Sequence, residues 1–259
     1  MTRIASAIAR TKEQKEVGLI AYIMAGDPTM DDTLHYMHAL VEGGAHMIEL
    51  GMPFTDPVAD GPVIERAARR ALAAHTRIAD IADLIKKFRQ TNTQTPVILM
   101  GYYNPICHMG IESFVMTMQN AGVDGLLVVD LPPEEDAELL AMCDKHMLAL
   151  IKLVTPTTDD DRLSIILEKA RGFVYYVSVA GITGRTSGST ASIADSVARI
   201  KQGTDLPVVV GFGIKTAQDV KTMAKTAIDA VVVGSAIVDR IANGQSAHEI
   251  TRFVAQLKP

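Results

Sequence analysis

The chain of 259 residues is short of the features that mark several protein classes. It has only two cysteines, Cys107 and Cys143, far apart and in no CxxC pattern. That scarcity speaks against a disulfide framework and suits a reducing compartment. No apolar run approaches the ~20 residues that a membrane span requires. The first segment, MTRIASAIARTKEQKE, lacks the apolar core of a signal peptide, so the expected location is cytoplasmic, with no membrane association. Lys and Arg form no block and the net charge is −5. Nucleic acid is therefore not an expected partner, because binding it needs clustered cations. No linker, low-complexity tract or composition shift divides the chain, which reads as one domain over residues 1–259.

What is present is a repeated alternation. Eight short, almost continuous apolar runs occur at 19–26, 46–51, 96–103, 123–130, 148–154, 173–181, 206–213 and 229–236. Strands of that kind are buried on both faces, as in a parallel sheet covered by helices. Amphipathic stretches lie between them. Asp31–Gly43 and Ser113–Gly122 have helical spacing and end in glycine, and two helices are expected around Pro62–Ala74 and Ile78–Gln90. Pro132-Pro133 followed by Glu134, Glu135 and Asp136 puts proline and negative charge where a helix starts. Lys215-Thr216 opens another helical stretch, and Ile4, Ala7 and Ile8 lie on one face of an extra N-terminal helix. Eight βα units without a hairpin signal predict a single (β/α)₈ barrel, the TIM-barrel architecture, with an open doubly wound sheet as the alternative.

In such a barrel the reactive groups stand at the C-terminal strand ends. The second run ends in Glu49, inside an apolar run where burial disfavours the ionised form and suits proton transfer near neutral pH. The alternative is a carboxylate satisfied by backbone N–H groups at the rim. Asp56 and Asp60 follow in a loop stiffened by Pro53, Pro57 and Pro62, so Glu49 and Asp60 form a candidate acid/base pair. Gly211, Gly213, Gly234 and Ser235 stand at the ends of runs seven and eight, where backbone N–H groups and a helix N-terminus favour an anion. The Gly-, Ser- and Thr-rich segment 179–190 is either a plain connector or a lid over the site.

Other features carry weaker signals. His35 and His38 are three apart on a helix but lack a further metal ligand, so no metal site is expected. The thirteen methionines read as core filler. Asp130 serves either a ligand or a helix cap. Tyr102 and Tyr175 are placed to line an aromatic pocket, with Tyr103 and Tyr176 facing the helices. Lys152, a formal candidate for a Schiff base, lies within its run and reads as structural.

The segment IELGMPFTDPVADGP (48–62) closely resembles the signature of the tryptophan synthase α subunit family. LIAYIMAGDP (19–28), MGYYNPI (100–106), GLLVVDLPPEE (125–135), YYVSVAGITGRTSG (175–188), VVVGFGIKT (208–216) and VVVGSAIV (231–238) resemble further family segments in order. The resemblance implies retro-aldol cleavage of indole-3-glycerol phosphate to indole and glyceraldehyde 3-phosphate, with no cofactor in this chain. By the same resemblance Glu49 is the acid/base, Asp60 holds the indole N–H and Tyr175 stands beside Glu49. Tyr22, Ile64, Met100, Leu127 and Phe212 match substrate-pocket positions; Tyr22 and Met100 replace the commoner Phe and Leu. Gly184, Gly213, Gly234 and Ser235 match phosphate-binding positions, and Thr183 a lid residue that contacts Asp60. The implied partner is a β subunit in an αββα complex, carrying the pyridoxal phosphate (PLP) and receiving indole, with Asp56 as a contact.

Overall fold

Residues in the eight apolar runs pair side by side because their backbones cannot be left unsatisfied in an interior that admits no water. The structure, a computed structural model, describes residues 1–178, 190–211 and 213–258. Its strands are β1 (Gly18–Met24), β2 (Met47–Gly51), β3 (Val97–Gly101), β4 (Gly125–Val128), β5 (Ala149–Val154), β6 (Val174–Val177), β7 (Val208–Gly211) and β8 (Ala230–Val233). All are parallel and neighbours in sequence, and β8 pairs back onto β1 to close the barrel. The open-sheet alternative is thereby excluded. Each strand is shorter than its apolar run, because the barrel uses only the residues that its neighbours can pair.

The helices are α1 (Arg3–Glu13), α2 (Met30–Glu42), α3 (Pro62–Ala73), α4 (Ile78–Arg89), α5 (Tyr103–Met109), α6 (Ile111–Ala121), α7 (Ala137–Lys145), α8 (Asp160–Lys169), α9 (Thr190–Gly203), α10 (Ala217–Met223), α11 (Ser235–Ala242) and α12 (Ala247–Leu257). Among the described residues none is long and apolar enough to cross a membrane. One expected helix start is corrected: α7 begins at Ala137 rather than at Pro132-Pro133. A residue before proline is driven out of the helical region, so the chain turns helical only after Asp136. Asp136, fully buried, is held by Lys152 and Lys169 and makes no cap hydrogen bond. Asp130 does cap a helix, though an earlier one: it accepts from the Tyr103 N–H at the start of α5, 2.8 Å away.

Strand periodicity divides the core in two. Side chains such as Ile48, Leu50, Leu99, Val210 and Val231 point outward and pack against the helices. Ile20, Met47, Ile98, Leu127, Ile151, Val209 and Ala230 point inward and fill the barrel. Helix α1 closes the end from which the strands start, placing Ile4, Ala7 and Ile8 in that inner cluster. Its Arg3 pairs with Asp124 at 3.0 Å and its Lys12 with Asp229 at 3.1 Å. These aspartates also fix the strand starts, accepting from the N–H of Val97 and of Val208 respectively, each at 2.8 Å. His46 acts similarly on Leu19, at 2.9 Å through Nδ1, which requires the neutral ring that its burial favours.

Lys152 has the opposite strand parity from the barrel-filling residues, and its ammonium ends on Asp136 between β5 and the helices. That disposes of a Schiff-base role inside the barrel. Removing one partner of a buried pair leaves an uncompensated charge, so Asp136→Ala is expected to cost about 3–5 kcal/mol. Urea denaturation checks this, and a loss below about 1 kcal/mol would contradict the pairing.

Candidate active site

At the C-terminal end of the barrel the inward positions are Tyr22 on β1, Glu49 on β2, Met100 on β3, Tyr175 on β6 and Val232 on β8. All five line one cavity of about 290 Å³. Alternation decides this for Glu49: Ile48 and Leu50 must face the helices, so the residue between them faces the axis. Tyr22 lies beside it in the β1–β2 register. Two inward glycines make room for the rings. A Cβ on Gly51 would lie 2.2 Å from the Tyr22 hydroxyl, and one on Gly211 would lie 2.1 Å from the Tyr175 hydroxyl. Each tyrosine therefore leans over the bare end of the next strand, β2 for Tyr22 and β7 for Tyr175.

The loop after β2 brings Asp60 to the same cavity, and the start of α3 adds Pro62, Val63 and Ile64. Tyr102 holds that loop rather than lining the cavity. Its hydroxyl accepts from the Ala59 N–H at 3.1 Å, and its ring stacks on Phe54 with centroids 5.1 Å apart. Asp56 stands exposed at the outer turn of the loop, beside Val58, which is 87% exposed. Leu127 is buried in the barrel interior next to Met100 in the β3–β4 register, and is not among the cavity-lining residues. Thr183, Gly184 and Phe212, together with the expected lid, lie outside the described residues.

The two carboxyl groups titrate apart. Glu49 is 2% exposed, and its Oε1 has no hydrogen-bond partner among the described residues. Burial first, and the charge of Asp60 second, push its pKa up to about 8. The reading of Glu49 as a carboxylate satisfied by backbone N–H groups therefore does not hold at Oε1. Asp60 is less enclosed. Burial raises its pKa to about 6, and the Tyr102 hydroxyl works against that rise by favouring the ionised form. Between about pH 6 and 8 the cavity thus holds a protonated Glu49 and an ionised Asp60. Burial also pushes the Tyr22 and Tyr175 hydroxyls upward, keeping both as neutral donors.

Gly213, Gly234 and Ser235 also line the cavity. Gly213 has φ +78°, a conformation that glycine adopts without strain. Helix α11 starts at Ser235 with Gly234 in the cap position and no side-chain cap, leaving first-turn N–H groups for a ligand. Two lining residues, Ile214 and Lys215, have no distinguishing local signal. Lys215 reads in sequence as the approach to a helix; its place two residues beyond the glycine turn of β7 is what puts it on the rim. Of the histidine pair, His38 packs on the Phe88 ring with centroids 5.1 Å apart and His35 is exposed.

The family profile described as "Tryptophan synthase alpha chain" matches residues 8–258. Among solved structures, tryptophan synthase subunit alpha from Legionella pneumophila str. Paris superposes with a TM-score of 0.91 at 37% identity, covering 99% of this chain and 97% of that one. The tryptophan synthase complex from Pyrococcus furiosus gives 0.85 at 36% identity, over 93% of this chain and 98% of that one. Tryptophan synthase from M. tuberculosis, in its aminoacrylate-bound form, gives 0.89 at 30% identity, over 99% and 98%.

The raised pKa of Glu49 has a consequence for stability. An unfolded glutamate releases its proton near pH 4.5, whereas the native one keeps it to about pH 8. Native stability therefore falls as pH rises between those values, by up to about 1.4 kcal/mol per unit. Glu49→Gln removes that slope. The variant is expected to gain on the order of 3 kcal/mol relative to the parent between pH 5 and pH 9, measured by chemical denaturation. An advantage that does not change with pH would show that Glu49 ionises freely in the native protein.

Proposed function

This chain belongs to the tryptophan synthase alpha chain family, and from that premise we propose that its cavity cleaves indole-3-glycerol phosphate to indole and glyceraldehyde 3-phosphate. The family is one of enzymes of tryptophan biosynthesis, whose alpha subunit works with a beta subunit. The observation that carries the specific reaction is a single cavity. A protonated Glu49 and an ionised Asp60 face it together with the glycine turns at the ends of β7 and β8.

The steps follow from those charges. The Glu49 carboxylic acid gives its proton to C3 of the indole ring, which becomes an electron-accepting indolenine with a positive nitrogen. Asp60, ionised, accepts the hydrogen bond of that N–H and offsets the charge. The Glu49 carboxylate then takes the proton of the hydroxyl on the carbon attached to C3. That carbon becomes the aldehyde, the C–C bond breaks, and its electron pair returns to the ring. Glu49 ends protonated as it began, so one group serves as acid and then as base, with a pKa near the working pH. Tyr175 stands beside it, while Tyr22, Ile64 and Met100 supply the apolar walls for the ring. The phosphate takes the backbone N–H groups at Gly213, Gly234 and Ser235. No step draws on a cofactor in this chain; pyridoxal phosphate belongs to the beta subunit. The exposed Asp56 and Val58 of the Pro53–Asp60 loop are the surface offered to that partner.

Purified protein incubated with indole-3-glycerol phosphate is expected to release indole slowly alone and faster with a beta subunit. No indole under either condition would sink the assignment. The dependence of kcat/KM on pH should be bell-shaped, with limbs near 6 and 8 set by Asp60 and Glu49. Glu49→Gln should lower turnover at least about 100-fold in a folded protein that still binds a phosphate ligand. Asp60→Asn should remove the acid limb. Substantial turnover by Glu49→Gln would take that residue out of its role.

A further inference from the structure

The cavity has two carboxyl groups on its lining and, among the described residues that line it, a single cationic side chain, Lys215. The whole chain carries a net charge of −5. Apart from Lys215 and the backbone N–H groups at the glycine turns, a phosphate dianion thus meets side-chain charge that opposes it. Lys215 adjoins Ile214 and shares the lining with Gly213, Gly234 and Ser235. Its side chain is exposed, and its ammonium forms no hydrogen bond or ion pair with a described residue. The nearby anion, Asp219, is turned to the backbone: its Oδ2 accepts from the N–H of Lys215 at 3.0 Å and of Thr216 at 2.8 Å. Thr216 returns the contact by accepting from the Asp219 N–H, and this reciprocal cap holds the segment from which the lysine springs.

We propose that Lys215 is the cation of the phosphate subsite, its ammonium closing on the ester's charge while the glycine turns hold its oxygens through backbone N–H groups. This deepens the phosphate assignment above and rests on it. The division of labour has a physical reason. Backbone N–H groups fix position but bring only partial charge, whereas a flexible ammonium follows the dianion from solvent into the site. The field it adds opposes that of Asp60 and orients the substrate, phosphate toward β7 and β8 and ring toward β2. One unit charge near a dianion at about 5 Å in solvent-exposed surroundings is worth about tenfold in affinity before salt screening.

The test titrates glycerol 3-phosphate calorimetrically into the full chain carrying Lys215→Gln or Lys215→Arg, beside the parent. At low salt the Gln variant should bind about three- to tenfold more weakly, with the gap narrowing to less than about twofold in 0.5 M NaCl. The Arg variant should keep most of the affinity. In the complex with a beta subunit, KM for indole-3-glycerol phosphate should rise with Lys215→Gln by a similar factor, and by more than kcat falls. Indole, which carries no charge, should bind both proteins alike. Equal affinity of parent and Gln variant for glycerol 3-phosphate would overturn the role of Lys215 and leave the phosphate assignment standing. A parent protein that binds no glycerol 3-phosphate would overturn both.

Discussion

A carboxyl group enclosed in a closed barrel, with one oxygen unpartnered among the described residues, is the constraint on which this site depends. Glu49 has little access to water, and the charge that acts on it is that of another carboxyl group, Asp60. Ionising both at once is costly in so low a dielectric, so the proton stays on the more deeply buried of the two. Asp60, on the loop, has the Tyr102 hydroxyl to favour its charge. The difference between them comes from geometry alone: a strand end inside the barrel against a loop at its rim.

That geometry is maintained from the opposite end of the barrel. Helix α1 plugs the floor with Ile4, Ala7 and Ile8, and its cations are tied to Asp124 and Asp229, which also hold the starts of β3 and β7. Bonds at the strand starts fix register, and register decides which side chains reach the axis. A slip of one residue on β2 would turn Glu49 to the helices and Leu50 to the cavity. The rim that holds the cavity thus depends on polar contacts far from it, at the end of the barrel where the strands start.

Space at the rim is set by what two positions lack. Gly51 and Gly211 let the Tyr22 and Tyr175 rings lie across neighbouring strand ends, and any side chain there would collide with a hydroxyl. Both rings present polar tips into a largely apolar chamber, close to Glu49. Tyr102 works differently, gripping Ala59 and Phe54 so that the loop carrying Asp60 keeps its course. The exposed outer turn at Asp56 is therefore mechanically continuous with the carboxylate at its inner end.

By itself the sequence determined a parallel sheet covered by helices, because two-sided burial suits runs of Val, Ile and Leu between amphipathic helices; that the sheet closes was decided by the pairing of β8 with β1. The sequence also determined which way Glu49 points, since a glutamate within such a run either faces the helices or faces the axis, and its apolar neighbours Ile48 and Leu50 take the helix side. Local pattern failed where contacts come from distant parts of the chain. Asp136 does stand at a helix start, but its carboxylate belongs to Lys152 and Lys169, and Asp130 caps a helix that precedes it by 27 residues. Lys215 is an ordinary lysine before a cap until the closing of β7 against β8 puts it on the same cavity lining as Gly234 and Ser235. Protonation, too, was decided only by the tertiary structure. A carboxyl group's pKa depends on the water and charges around it, and both are fixed by residues far away in the chain that close the barrel over Glu49 and leave Asp60 at its edge.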